Sequence, residues 1–151
     1  MRRFLGRFPS TLTSVKEARD WLWQRLDLAR VPRAARHDAL LILSEIATNA
    51  LLHAPTGRSG GAFLVSVFMY ANCLRVAVRT TDGPALPRLE VVPADPYAEH
   101  GRGLFLVNSL ATTWGVERTR SGPSVYFILE WDQPRELAAP SPNPIHAGAQ
   151  R

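Results

Sequence analysis

The chain has one cysteine, Cys73, among 151 residues, so an intrachain disulfide is excluded. No Cys/His cluster with metal-ligand spacing accompanies it. With Leu74 and further apolar residues adjoining it, a buried structural thiol is the expectation. No apolar run approaches about 18 residues, which excludes a transmembrane helix from the sequence reading. Arg2 and Arg3 are followed only by Phe4 and Leu5 before Gly6, Arg7 and Pro9 intervene. That is too short for the core of a signal peptide, and the expected location is the cytoplasm. A dense basic block is also missing. The net charge is +5, but the arginines are dispersed: Arg2, Arg3 and Arg7, then Arg30, Arg33 and Arg36, then Arg118 and Arg120. Direct nucleic-acid binding is therefore not expected, whereas an acidic protein partner or a phosphorylated ligand suits the charge.

What is present is ordinary for a globular domain: 46% apolar and 21% charged residues. The length suffices for one domain that buries about two-thirds of its unfolded surface. Residues 1–131 are read as that domain. From Asp132 the composition shifts to Pro, Ala and polar residues, and 132–151 is read as a disordered tail. There is no internal repeat.

Met1 to Pro9 reads as an edge strand, with Phe4 and Phe8 on one face. Val15, Ala18, Leu22, Leu26 and Ala29 recur at helical spacing, with Thr11 or Thr13 as cap, until Val31-Pro32 breaks the run. A second helix is expected from about Arg33 to His53. Ala62 to Tyr70 and Leu74 to Thr80 are β-branched and aromatic, joined at Ala71-Asn72 as a hairpin. Thr81 to His100 holds Pro84, Pro87, Pro93 and Pro96 and reads as a long irregular stretch, either a functional lid or disordered. Gly101 to Thr112 reads as a helix. Trp114 to Thr119 and Ser124 to Trp131 read as a second hairpin. This order predicts an α+β fold: a two-layer sandwich with one mixed, mostly antiparallel sheet and helices on one face.

Within the apolar helix LLILSEIATNALLH (Leu40 to His53), Glu45 and Asn49 are four apart and share a face. Asn is a poor helix-interior residue, because its amide competes for backbone hydrogen bonds. Burying both groups unpaired costs about 1 to 3 kcal/mol each. Either a bound polar ligand compensates or one or both groups point to solvent. Asp82-Gly83 follows a strand and is either a plain turn or a carboxylate aimed into a pocket, able to accept from an exocyclic amine. Gly101-Arg102-Gly103-Leu104 opens a helix whose first amides are free donors suited to phosphate, although a tight turn also explains the glycines. Ser121-Gly122-Pro123-Ser124 precedes the last strand and offers a hydroxyl.

The order of these motifs resembles the nucleotide-binding (Bergerat) fold of gyrase, ninety-kilodalton heat-shock chaperones and histidine kinases. Within that family the chain is most similar to the small anti-sigma-factor serine kinases of actinobacteria. SEIATNALLHA (Ser44 to Ala54) resembles their N box and GRGLFLV (Gly101 to Val107) their second glycine box. WGV (Trp114 to Val116) and SGPSVYF (Ser121 to Phe127) resemble their ending. The resemblance implies ATP and Mg2+ as cofactors, with Asn49 as the metal ligand and Glu45 as the general base. It implies nucleotide contacts from Asp82, Gly83, Gly101, Arg102, Gly103 and Leu104, and from Ser124 near the adenine. The implied partners are a sigma factor and an anti-anti-sigma antagonist, phosphorylated on Ser or Thr, with homodimer formation common in the group. Three departures stand out. Thr80 or Thr81, depending on the count, occupies the place of the usual adenine-reading Asp, so Asp82 serves only with a shifted register. Glu99 and His100 precede the glycine box where a basic residue is common. Pro123 stands where Lys or Gly is usual. The alternative they define is a member that kept the scaffold as an ATP-independent protein-binding module.

Overall fold

The computed structural model describes residues 1–52, 61–81 and 102–132, with the side chains of 102–104 excepted. Among these residues eight elements follow in order: β1 (Arg2–Pro9), α1 (Leu12–Leu28), α2 (Arg33–Leu52), β2 (Ala62–Met69), β3 (Cys73–Thr80), α3 (Arg102–Leu110), β4 (Thr113–Thr119) and β5 (Gly122–Glu130). The strands form one sheet in the order β1-β2-β3-β5-β4. This is the α/β sandwich expected from the pattern. The sheet is more regular than a mixed one, because every pairing among the described residues is antiparallel. Two consecutive helices connect β1 to β2, which pairs antiparallel with it. β3 and β4 would be parallel neighbours, but β5 inserts between them through its hairpin with β4.

Local chemistry sets the helix ends. Thr11 caps α1, its hydroxyl accepting from the Ser14 amide at 3.3 Å. Arg30 adopts φ 56° just past the end of α1, and Pro32 immediately precedes α2, where its missing amide costs nothing. Val15, Ala18, Leu22 and Leu26 are buried in α1, and Ala39, Ile42, Leu43, Ile46 and Ala47 in α2. These stripes meet the alternate residues Phe63, Val65, Val67, Leu74, Val76, Val78, Val125 and Phe127 of the sheet in one core. Each fully buried Leu, Ile or Phe there contributes roughly 1.5 to 3 kcal/mol. Phe8 stacks on Phe63 (5.4 Å between centroids) and meets Trp21 edge-on (5.6 Å), clamping β1 to α1.

The helices lie side by side on one face. α1 packs on β1, α2 on β3 and β5, and α3 on β4, with α2 touching both other helices. Cys73 is half-buried at the start of β3 rather than enclosed, because it sits on the helix-free face. Burial first, and the nearby Glu130 carboxylate second, push its thiol pKa up. No helix among the described residues is long and apolar enough to cross a membrane.

Candidate functional site

The position of Glu45 and Asn49 follows from the geometry of α2. At about 100° per residue, the buried stripe through Ala39, Ile42, Ile46 and Ala50 has two flanks. His37, Leu40 and Ser44 lie on one flank, where they line a cavity with Arg19 of α1. Glu45 and Asn49 lie on the other flank. Because α1 covers the first, Glu45 and Asn49 border the side of α2 where α3 packs. Both are half-buried, and neither has a hydrogen bond or ion pair among the described residues. Their exposure avoids the desolvation penalty that full burial would impose. A carboxylate and a carboxamide thus stand together on this flank, half-buried and without a partner among the described residues. Ser44 and Ser109 are spent on the carbonyls of Leu40 and Phe105, each at 2.8 Å within its own helix.

α3 begins at Arg102, so the amides of its first turn are unsatisfied by the helix itself. Arg102, Gly103 and Leu104 belong to that turn, and Val107 anchors the helix in the core with no exposure. Asp82, Gly83 and Gly101 lie outside the described residues, as do His53 and positions 82–100 of the expected lid.

The end of β3 resolves the threonine ambiguity in geometric terms. Leu74, Val76 and Val78 face the helices, whereas Arg75, Ala77 and Arg79 line the opposite face. Strict alternation carries Thr80 to the helix side, opposite buried Phe63. Thr81 is engaged differently. Its amide donates to the Ala62 carbonyl (2.9 Å), and its hydroxyl accepts from the Ala62 amide (3.0 Å), strapping β3 to β2. That strap was not foreseen; only the register of the hairpin reveals it.

Ser124 requires a correction. Val125 and Phe127 point into the core, so Ser124 points away from the helices. It lines a cavity on the opposite face with Arg79 and Glu117, and its hydroxyl lies 3.4 Å from the Val78 carbonyl. The sheet therefore separates Ser124 from Glu45 and Asn49. On its strand, Pro123 is the neighbour that shares the helix-side parity of Val125. The sequence had carried this signal in the alternation of SVYFIL, which fixes the side of Ser124 once one core residue is known.

A profile of the histidine kinase-like ATPase domain matches residues 8–129. The chain belongs to this family. The match runs from the end of β1 into β5 and takes in every element between them. A search of curated proteins returns no match. Among solved structures the chain is similar to the histidine kinase domain of the Erythrobacter litoralis EL346 blue-light activated histidine kinase. That similarity has 19% identity and a TM-score of 0.49, and covers 81% of this chain. The chain spans 61% of that domain's length.

Proposed function

We propose that the chain is an ATP-binding regulatory protein of the anti-sigma-factor serine kinase type, acting through protein partners. The observation that carries this reading is the pair Glu45 and Asn49, half-buried and unpartnered among the described residues, on the flank of α2 that meets α3. Membership of the histidine kinase-like ATPase family supplies the precedent for ATP.

The donor set suits magnesium. The Asn49 amide oxygen is a hard, neutral ligand, and Mg2+ commonly takes one or two protein oxygens and completes its shell with phosphates and water. When bound, the metal supplies charge neutralisation on the phosphates. Glu45, one helical turn before Asn49, accepts the proton of an attacking hydroxyl. The first amides of α3, together with Gly101 and Gly103, receive the phosphate oxygens. The protein substrate is a partner bearing a Ser or Thr, in the role of an anti-anti-sigma antagonist, and a sigma factor is the regulated target.

Isothermal calorimetry with magnesium-ATP tests the reading. Binding should occur, Asn49→Ala should remove its magnesium dependence, and Glu45→Ala should spare binding but stop phosphoryl transfer. Absence of heat at millimolar ATP would sink it. One specific observation favours a second reading, an ATP-independent protein-binding module. Thr80, not a carboxylate, is the helix-facing residue at the end of β3, and the Thr81 hydroxyl is held by Ala62. A partner whose affinity ignores ATP would favour this second reading.

A further inference from the structure

The sheet face turned away from the helices is organised in rows that cross the strands. Their registers align Arg7, Leu64 and Arg79 in one row, which continues to Ser124 and Glu117. The middle row holds Leu5, Ser66, Ala77 and Tyr126. The third holds Arg3, Phe68 and Arg75, followed by Ile128. Small side chains at Ser66 and Ala77 lower the middle row between two rows that carry arginines. The result is a cavity of about 280 Å3 to which all five strands contribute.

The arginines are set in place by apolar and backbone contacts. The Arg75 guanidinium lies 4.7 Å from the centre of the Tyr126 ring and pairs with Glu117 at 2.6 Å. Arg3 lies over Phe68 at 5.3 Å, and Arg79 donates to the Ser121 carbonyl at 3.0 Å. Among the described residues Arg3, Arg7 and Arg79 have no carboxylate partner. Of the carboxylates that the described strands carry on this face, Glu117 is taken by Arg75, and Glu130 sits at the far end of β5 beside Cys73. Leu5, 60% exposed, supplies an apolar rim.

We infer that this face docks an acidic polypeptide segment, with one apolar side chain entering the trough and carboxylates meeting the arginines on either side. A floor of small side chains edged by Leu5, Leu64 and arginines, three of them without a carboxylate partner among the described residues, matches that chemistry and no single-character ligand. A nucleic-acid backbone satisfies the arginines but leaves Leu5 and Leu64 uncovered. A second copy of the chain, joined about a two-fold axis, sets the arginine rows against each other, a like-charge juxtaposition that opposes association. The site is separate from the α2–α3 flank, so it stands whether or not nucleotide binds there.

The test is fluorescence anisotropy of the full chain with a short labelled peptide alternating Glu with Leu. A counterpart peptide with the same Leu positions and Lys in place of Glu, and a short DNA duplex, are the comparison probes. The Glu peptide should bind, and added salt should weaken it. Arg3→Glu combined with Arg79→Glu should weaken it about tenfold or more, as should Ser66→Leu, which fills the trough without changing charge. A thermal melt of each variant verifies the fold. Failure of the Glu peptide to bind, equal binding of the Lys peptide, preference for DNA, or insensitivity to these substitutions in folded protein overturns the inference. So does a dimer in sedimentation that the same substitutions dissolve. Calorimetry with magnesium-ATP reads the other face, so its outcome is independent.

Discussion

Replacing Asn49 by Ala should make the protein more stable. Asn49 lies three residues before the end of α2, half-buried beside Ile46 and Ala50, with no hydrogen bond among the described residues. Asn is less favourable than Ala in a helix by about 0.6 kcal/mol, somewhat less near a helix end. Removing a typical hydrogen-bonded side chain forfeits about 1 kcal/mol. Here no such bond is lost, so the helix gain stands alone, at about 0.5 kcal/mol. For a domain of this size that raises the melting temperature by about 2 °C, or the urea midpoint by about 0.3 M. The assay is paired thermal and urea unfolding of the wild type and Asn49→Ala, without nucleotide. A residue kept for binding sits in this position at a cost to the fold, whereas a structural residue does not. A loss of 1 kcal/mol or more in the variant would refute the reasoning, because it would make Asn49 a strut of the fold.

Other perturbations test the frame around the site. A Cβ at Gly6 would stand 2.7 Å from Phe8 Cε2 and 3.0 Å from Trp21 Cε2, and Phe8 is already stacked on Phe63. Gly6→Ala should therefore cost about 1 to 3 kcal/mol by overpacking, read as a lower urea midpoint with an unchanged slope. Thr11→Ala should cost about 1 kcal/mol through loss of the α1 cap, and Thr11→Ser should recover most of it. The raised pKa of Cys73 keeps its thiol protonated to higher pH than a free cysteine. Its alkylation at mildly alkaline pH, followed by mass spectrometry, should be slower than that of an unstructured Cys peptide. The corresponding sign for stability is that any contribution from this thiol is present below the unfolded-state pKa and fades as pH rises through the folded one.

The layers were legible because each core element carries one clean period. Val15, Ala18, Leu22 and Leu26 announce α1, and the β-branched runs from Ala62 and Leu74 announce the central hairpin. Helix limits were less legible where capping overrides hydrophobic period: α1 begins at Leu12, set by Thr11, before its first buried apolar residue. The antiparallel order of the sheet was hidden because it depends on where β5 inserts, a nonlocal outcome that no window of sequence contains. At the candidate site, the side of α2 that bears Glu45 and Asn49 was readable from helical spacing. The neighbour on that side was not, since it depends on α3 packing beside α2. Ser124 was misread because a turn motif says which residue is available, while the pleat decides which face receives it. The trough on the sheet's far side had no sequence signature at all. Its arginines come from β1 and β3, far apart in the chain, and only the registers bring them into rows.

The pairing of β1 with β2 has a consequence for how the domain assembles. Pro9 lies opposite Ala62, so the two strands meet only after a long stretch containing α1 and α2 has been closed into a loop. The β2–β3 and β4–β5 hairpins close over a few residues, in microseconds, and incur little chain entropy. β1 instead needs the helical layer in place before its own partner gives a return. Its hold on the domain then rests on Phe8 between Trp21 and Phe63 as much as on its ladder of hydrogen bonds. In native-state hydrogen exchange, the amides of β1 should open at lower free energy than those of β3, making this edge the seam along which the domain first comes apart.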